Sequence, residues 1–416
     1  MKKWMSLLLA AAMTMSLLAG CAGSNAGSAD STDATAGTET TESADTETAD
    51  TAAASGETFK IGGIGPVTGG AAVYGLAVKN ATELAINEVN EDGGINGYQV
   101  EFKFEDDEND AEKTLNAYNA LKDWGMNVLV GTVTSTPCVA VANETAADNM
   151  FQLTPSGSAT ECVANPNVFR VCFSDPNQGT AAAQYIGEHK LATKVAIIYD
   201  SSDVYSSGIT QNFTAEAANQ GIEIVSSEAF TADNNKDFSV QLQKAKDGGA
   251  ELVFLPIYYT EASLILAQAD SMGFETKFFG CDGMDGILQV DNFDTKLAEG
   301  LMLLTPFAAD ADDELTQKFV TAYKEKYGET PIQFAADAYD AIYAIKAAAE
   351  EAGITPNILC ETSQSDLVIQ LAAHDLGVGI SSKSIATSAQ DGTYAIVPFE
   401  SRLHRSIYYV TLKELL

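Results

Sequence analysis

The stretch Val128-Leu129-Val130-Gly131-Thr132-Val133-Thr134-Ser135-Thr136 decides the reading of this chain. Its first part is a short apolar run of strand length; its second part is a loop of hydroxyls leading toward a helix. A strand that ends in polar, uncharged residues at the start of a helix is the repeating unit of an open parallel sheet, with its ligand loops beyond the carboxyl ends of the strands. The same unit recurs along the chain. Leu153 leads to Thr154-Pro155-Ser156-Gly157-Ser158, and Val195-Ala196-Ile197-Ile198-Tyr199 leads to Asp200-Ser201-Ser202-Asp203-Val204-Tyr205. Leu252-Val253-Phe254-Leu255 leads to Tyr258 and Tyr259, and Phe278-Phe279-Gly280 to Cys281-Asp282-Gly283.

Working outward, Phe59-Lys60-Ile61-Gly62-Gly63-Ile64 opens the first sheet. A helix is predicted over 77–90, with Val78, Ala81, Ala85 and Val89 on one face and Asp92-Gly93-Gly94 ending it. Val100, Phe102 and Phe104 alternate with charged residues as a strand with one wetter face. Further expectations are a strand at Phe151-Gln152-Leu153, a helix after Pro137, an extended stretch over Val168 to Phe173, a short strand at Ile222 to Val225 and another at Leu301 to Leu304. Two helices follow near Asp313 to Tyr327 and Phe334 to Glu351. The fold class predicted is α/β, two doubly wound parallel-sheet lobes joined by a hinge. The first lobe takes 57–175 and 305–356, the second 176–304.

What precedes residue 57 reads differently. Lys2 and Lys3, the apolar run Leu7 to Leu18, and Ala19-Gly20-Cys21 have the order of a signal peptide over 1–20, with Cys21 as the first mature residue. The run is too short for a spanning helix. Ala22 to Gly56 holds almost only Ser, Thr, Ala, Gly, Asp and Glu, which cannot bury enough apolar surface to fold. Residues 21–56 are expected to be a solvated tether. The net charge of −35 argues against nucleic acid and anionic lipid as partners and suits solubility. Of the cysteines beyond Cys21, only Cys162 and Cys172 are near enough in sequence to suggest a local bridge, and no spacing suits a metal or cofactor.

The strand-end residues describe a ligand. Hydroxyls and free N–H groups at helix starts, here Ser135, Ser156 and Ser158, suit a small carboxylate. Asp282 at an opposing strand end can pair with an ammonium, while Tyr74, Tyr205 and Tyr258 wall off an apolar part. Together these describe an α-amino acid. Each residue also has a plainer reading: the serines as helix N-caps, the tyrosines as packing, Asp282 as a turn cap. Catalysis finds no support, since there is no G-x-S-x-G elbow, Walker A loop or H-E-x-x-H, and the chain has only three histidines, none near the strand-end cluster. The chain is therefore not expected to be an enzyme.

These residues resemble the branched-chain amino acid binding proteins of ABC importers. The likeness runs from about Phe59 to Ile354 through "IGGIGPVTGGAAVYG", "AINEVNEDGGINGYQVEFKFEDDEND", "LVGTVTSTP", "QLTPSGSAT", "FRVCFSDPNQG" and "IQFAADAYDAIYA". The resemblance implies a two-lobed periplasmic-binding fold and a monomer that hands its ligand to membrane permease subunits, with a tethered ligand sensor, or a binder of another small amine or amide, as the alternative. It implies that Ser135, Ser156 and Ser158 hold the ligand carboxylate and Asp282 the ammonium, with Tyr74, Tyr205 and Tyr258 around the ligand. The stretch ending at Cys21 resembles the lipobox of bacterial lipoproteins, which implies lipidation of Cys21 and an anchor on the extracytoplasmic face of the cell membrane. Asp282 stands where better-known members have Glu. Asn109 and Thr134 stand where some relatives have a disulfide. Beyond about residue 356, "ILCETSQSDLVIQLAAHDLGVGISSKSIA" and "AIVPFESRLHRSIYYVTLK" resemble the end of the effector domain of LysR-type regulators, so 357–416 is an atypical tail, from a gene fusion or an assembly join.

Overall fold

The computed structural model describes residues 58–351 and, beyond them, three strands, β11 (Gly379–Ser382), β12 (Tyr394–Pro398) and β13 (Ile407–Leu412). The expectations for Cys21, for the segments on either side of it and for most of 357–416 lie outside the described residues.

Ten parallel strands form two five-stranded sheets. The first holds β1 (Phe59–Gly65), β2 (Val100–Asp106), β3 (Val128–Gly131), β4 (Gln152–Thr154) and β5 (Val168–Arg170) in the order β2-β1-β3-β4-β5. The second holds β6 (Lys194–Asp200), β7 (Glu223–Phe230), β8 (Leu252–Leu255), β9 (Lys277–Gly280) and β10 (Met302–Leu303) in the order β10-β9-β8-β6-β7. The inner strands β3 and β8 are buried at every position, as strands covered on both faces must be. Strands β11 to β13 make a separate antiparallel sheet.

Among the described residues nine helices cover the two parallel sheets: α1 (Ala72–Glu91), α2 (Ala111–Trp124), α3 (Ser135–Asp148), α4 (Asp175–Glu188), α5 (Val204–Ala217), α6 (Ser239–Asp247), α7 (Tyr259–Ser271), α8 (Glu314–Tyr327) and α9 (Gln333–Glu351). In the first lobe α1 and α9 pack on one face of the sheet, with Ile61 and Val130 against Ile342 and Ile345, and α2 and α3 on the other, with Leu129 against Leu121 and Val141. In the second, Ile197 and Phe254 pack against Ile209 and Phe213 of α5, while Val253 and Leu255 face α6 and α7.

In both sheets the order reverses beside the first strand of the lobe, at β1/β3 and at β6/β8. Loops leaving adjacent strands in opposite directions open a crevice there. Those loops carry the hydroxyls and tyrosines noted in the sequence.

Several boundaries differ from the expectations. Helix α1 begins at Ala72 instead of 77, because Tyr74 continues its buried stripe; Gly69, Gly70 and Gly75 disguise the first turn as a loop. Helix α3 begins at Ser135 rather than after Pro137, since a proline in the first turn lacks only an N–H that would have no partner anyway. The strand expected at 222–225 runs over Glu223–Phe230; its Ser226-Ser227-Glu228 centre hid it, and an edge strand tolerates such polarity. No disulfide joins Cys162 to Cys172.

Gly75 fixes how α1 meets the end of β1. A Cβ there would stand 1.9 Å from the Pro66 carbonyl oxygen, so only glycine lets the first turn of α1 approach. Gly75→Ala should cost about 3 kcal/mol by forcing the backbone apart. Urea denaturation checks this, and a loss near zero would contradict the packing.

Candidate functional site

The first half of the site is a pair of loops tied together by their own hydroxyls. Ser135, the first residue of α3, is buried, and its Oγ accepts hydrogen bonds from the N–H groups of Ser158 and Ala159, both at 3.2 Å. Ser156 donates to the Val133 carbonyl at 2.6 Å and Thr154 to that of Thr132 at 2.5 Å. Arg170 on β5 donates to the carbonyls of Ser158 and Ala159, so a cation backs the same loop. None of the three serines is an N-cap: Thr134 caps α3, and Ala159 precedes the 3-10 turn Thr160–Val163. Ser156 spends its hydroxyl proton on the loop itself. Ser135 keeps its proton free to donate.

The second half is an acid framed by aromatics. Asp282 opens the 3-10 turn after β9 and is 2% exposed. Its N–H donates to Gln178 Oε1 at 3.1 Å, the Gly283 N–H donates to the Tyr205 hydroxyl at 2.9 Å, and the Tyr74 hydroxyl donates to the Gly283 carbonyl. Gly283 is required here, because a Cβ would lie 2.7 Å from the Tyr205 hydroxyl. Tyr258 joins the other two tyrosines, stacked on Tyr205 at 5.1 Å and edge-on to Tyr74 at 5.6 Å. Phe334 stacks on Tyr74 at 4.2 Å. The tyrosines are therefore packing residues that also surround the acid.

The halves are drawn together by hydrogen bonds between lobes. Thr136 of α3 donates to Asp203 Oδ1 at 2.8 Å, the Val73 N–H to the Tyr259 hydroxyl at 3.1 Å, and Thr260 to the Gly70 carbonyl at 2.6 Å. This is a closed arrangement of the two lobes.

Four residues that sequence reasoning passed over belong to the same place. Asp175, at the start of α4, is 1% exposed, and neither carboxylate oxygen completes a hydrogen bond, though Ser158 and Arg170 stand near enough to favour its charged form. Asp282 Oδ1, Gln178 Nε2 and Gln333 Nε2 are likewise buried without a partner. Asp203, which caps α5 by accepting from the Ser206 N–H, is the third acid. The Asp-Pro-Asn-Gln run over 175–178 follows a strand as the other loops do, and that placement was the available signal.

Burial dominates the protonation of all three acids. It pushes Asp175 up to about 8, with the charges of Asp282 and Asp203 adding to the rise. It pushes Asp282 to about 6 despite the nearby Tyr205 hydroxyl, and Asp203 to about 6 against the hydrogen bond of Thr136. Near neutral pH the cleft then holds Asp203 and Asp282 charged, Asp175 protonated, and the Arg170 cation beside them.

The chain belongs to the periplasmic binding protein family. The profile of that family matches residues 58–360, and that of the LysR substrate binding domain matches 329–416. Leu/Ile/Val-binding protein homolog 3 of Brucella melitensis is 31% identical over 304 residues, 71% of this chain and 79% of the relative. The leucine-, isoleucine-, valine-, threonine- and alanine-binding protein of Pseudomonas aeruginosa is 28% identical over 299 residues, again 71% and 79% of the two lengths. Among solved structures, the branched-chain amino acid transporter substrate binding protein of Streptococcus pneumoniae, in complex with isoleucine, is 29% identical with a TM-score of 0.67, covering 72% of this chain and 86% of its own. Both the family and the two parallel-sheet lobes match the expectation from sequence.

The raised acids set a pH dependence. Each binds its proton in the folded protein over a range where the unfolded chain, near 3.8, has lost it, so stability falls as pH rises from about 4 through 6 for Asp203 and Asp282 and on to 8 for Asp175. The ligand-free protein should thus melt at lower temperature at pH 8 than at pH 5.5, and Asp175→Asn should flatten the upper part of that decline. A melting temperature that climbs from pH 5.5 to 8 would contradict the burial of these acids.

Proposed function

We propose that this chain is an extracytoplasmic solute-binding lipoprotein that captures an amino acid, branched-chain or otherwise hydrophobic, and delivers it to the permease of an ABC importer. The observation that carries the reading is Asp282, a buried acid set among three tyrosines with an oxygen that completes no hydrogen bond among the described residues, close in charge to Asp175 beside the Ser158 loop. An ammonium placed at Asp282 balances the second of the two ionised acids, Arg170 offsetting the first. The ligand carboxylate falls to the Ser135 hydroxyl, the Ser158 hydroxyl and the N–H groups that open α3, with the helix dipole favouring its charge. Ser156 acts in this arrangement through its loop and not through its hydroxyl.

Tyr74, Tyr205 and Tyr258 take the side chain of the ligand, which suits an apolar one. The relatives named for leucine, isoleucine and valine, and the one solved with isoleucine, support the same ligand class. Lobe closure follows from ligand contacts made on both sides, because only a ligand that binds the closed state better can shift the balance toward it. We place the hinge crossings near residues 175 and 305. Lipidation at Cys21 and the tether through Gly56 would keep a monomer at the membrane surface beside its permease.

Isothermal calorimetry on residues 56–416 against the twenty amino acids is expected to give micromolar binding, about −8 kcal/mol, for one or more apolar members. Silence from all twenty would refute the amino-acid reading. Asp282→Ala is expected to abolish binding, since a desolvated ammonium without its counter-charge costs several kcal/mol. Ser135→Ala should weaken it by about 1–3 kcal/mol through the loss of one donor to a charged oxygen. Full affinity in either variant would move that end of the ligand elsewhere.

A further inference from the structure

Beneath the two hydroxyl-bearing loops lie two thiols. Cys138 sits one turn into α3 and Cys162 in the 3-10 turn Thr160–Val163, and both are wholly buried. They share a small apolar cluster with Ala159. Gln152 donates to Cys138 Sγ at 3.5 Å, and Cys162 Sγ donates to the Ser135 carbonyl at 3.6 Å. Cys172 also stands near enough to Cys162 to raise its pKa, and Cys281 lies in the core of the second lobe. The pair therefore joins the helix that presents Ser135 to the loop that presents Ser158.

We propose that Cys138 and Cys162 are a disulfide pair that ties these two loops together covalently. The bond forms by thiol–disulfide exchange with a disulfide oxidant, either a small molecule such as oxidised glutathione or a thiol oxidase of the exported compartment. The thiolate of Cys138 attacks one oxidant sulfur and expels the other as a thiol. Cys162 then gives up its proton and attacks Cys138 Sγ, forming the internal S–S bond and releasing the second thiol. Two protons and two electrons leave the pair, and the oxidant disulfide becomes two thiols. Either thiol can make the first attack in the chain before it folds, and the balance is the same. Because both sulfurs are buried in the folded chain, the exchange belongs to folding. Oxidation in the cell rests on the exported address proposed above; the chemistry of the pair does not.

The full chain, refolded from denaturant in a reduced and oxidised glutathione mixture and digested without reduction, is expected to yield a peptide linking Cys138 to Cys162. Dithiothreitol should lower the melting temperature of the oxidised protein by about 5 to 10 °C. Cys138→Ser and Cys162→Ser should each remove the linked peptide and that sensitivity, while Cys172→Ser keeps both. Recovery of both residues as alkylated thiols, or a peptide linking Cys162 to Cys172, overturns the proposal without any variant having to fold. A pair linked in this test but recovered as thiols from cells would count against the exported address alone.

Discussion

A carboxylate removed from water must find a positive partner, find hydrogen-bond donors, or give up its charge. The cleft between the lobes sets three of them together, Asp175, Asp203 and Asp282, against the single arginine of the described residues. Asp203 meets the demand within the protein, through Thr136 and the Ser206 N–H, and in doing so joins α3 of one lobe to α5 of the other. Asp175 meets it by holding a proton. Asp282 is left with an oxygen that completes no hydrogen bond among the described residues. The ligand chemistry and the closed arrangement of lobes both follow from how these three demands are met.

The scaffold around the acids is arranged to keep them dry. Tyr74 touches Tyr258, Tyr259 and Phe334 at once and hydrogen-bonds the Gly283 carbonyl, so one side chain of the first lobe anchors the aromatic wall of the second. Such a wall lowers the local dielectric and strengthens every charge pair inside it. The close approach of α1 to Pro66, permitted by Gly75, sets Tyr74 at that height. On the opposite side, the position pair Asn109 and Thr134 is joined by a 2.7 Å hydrogen bond, while the covalent reinforcement we assign to this lobe stands one turn further along α3 at Cys138.

Much of this was legible in the chain. Apolar runs such as Val128-Leu129-Val130 and Leu252-Val253-Phe254-Leu255 marked the buried inner strands, and the residues after them marked the crevice. Ser135, Tyr205, Tyr258 and Asp282 stand just after strands in the sequence itself, and Tyr74 reads as a wall residue beside them. Asp175, Gln178 and Gln333 escaped because each lies within a helix, where an acid or amide reads as a cap or a solvated face; only the packing of α4 and α9 against the cleft buries them. Asp203 is both a cap and an interlobe acceptor, and sequence carries only the first role. The partner of Cys162 escaped for a related reason: Cys138 is distant in sequence, and the pair meets only because β3 and β4 are neighbours in the sheet.

The central claim is that a zwitterion bridges the lobes, and a crystal structure with the tightest-binding amino acid tests it most directly. The account requires the ligand ammonium at about 2.7 to 3.0 Å from an Asp282 oxygen and its carboxylate on the Ser135 and Ser158 loops. A ligand bound in the reverse sense, or held by one lobe with Asp282 still unpartnered, would contradict it.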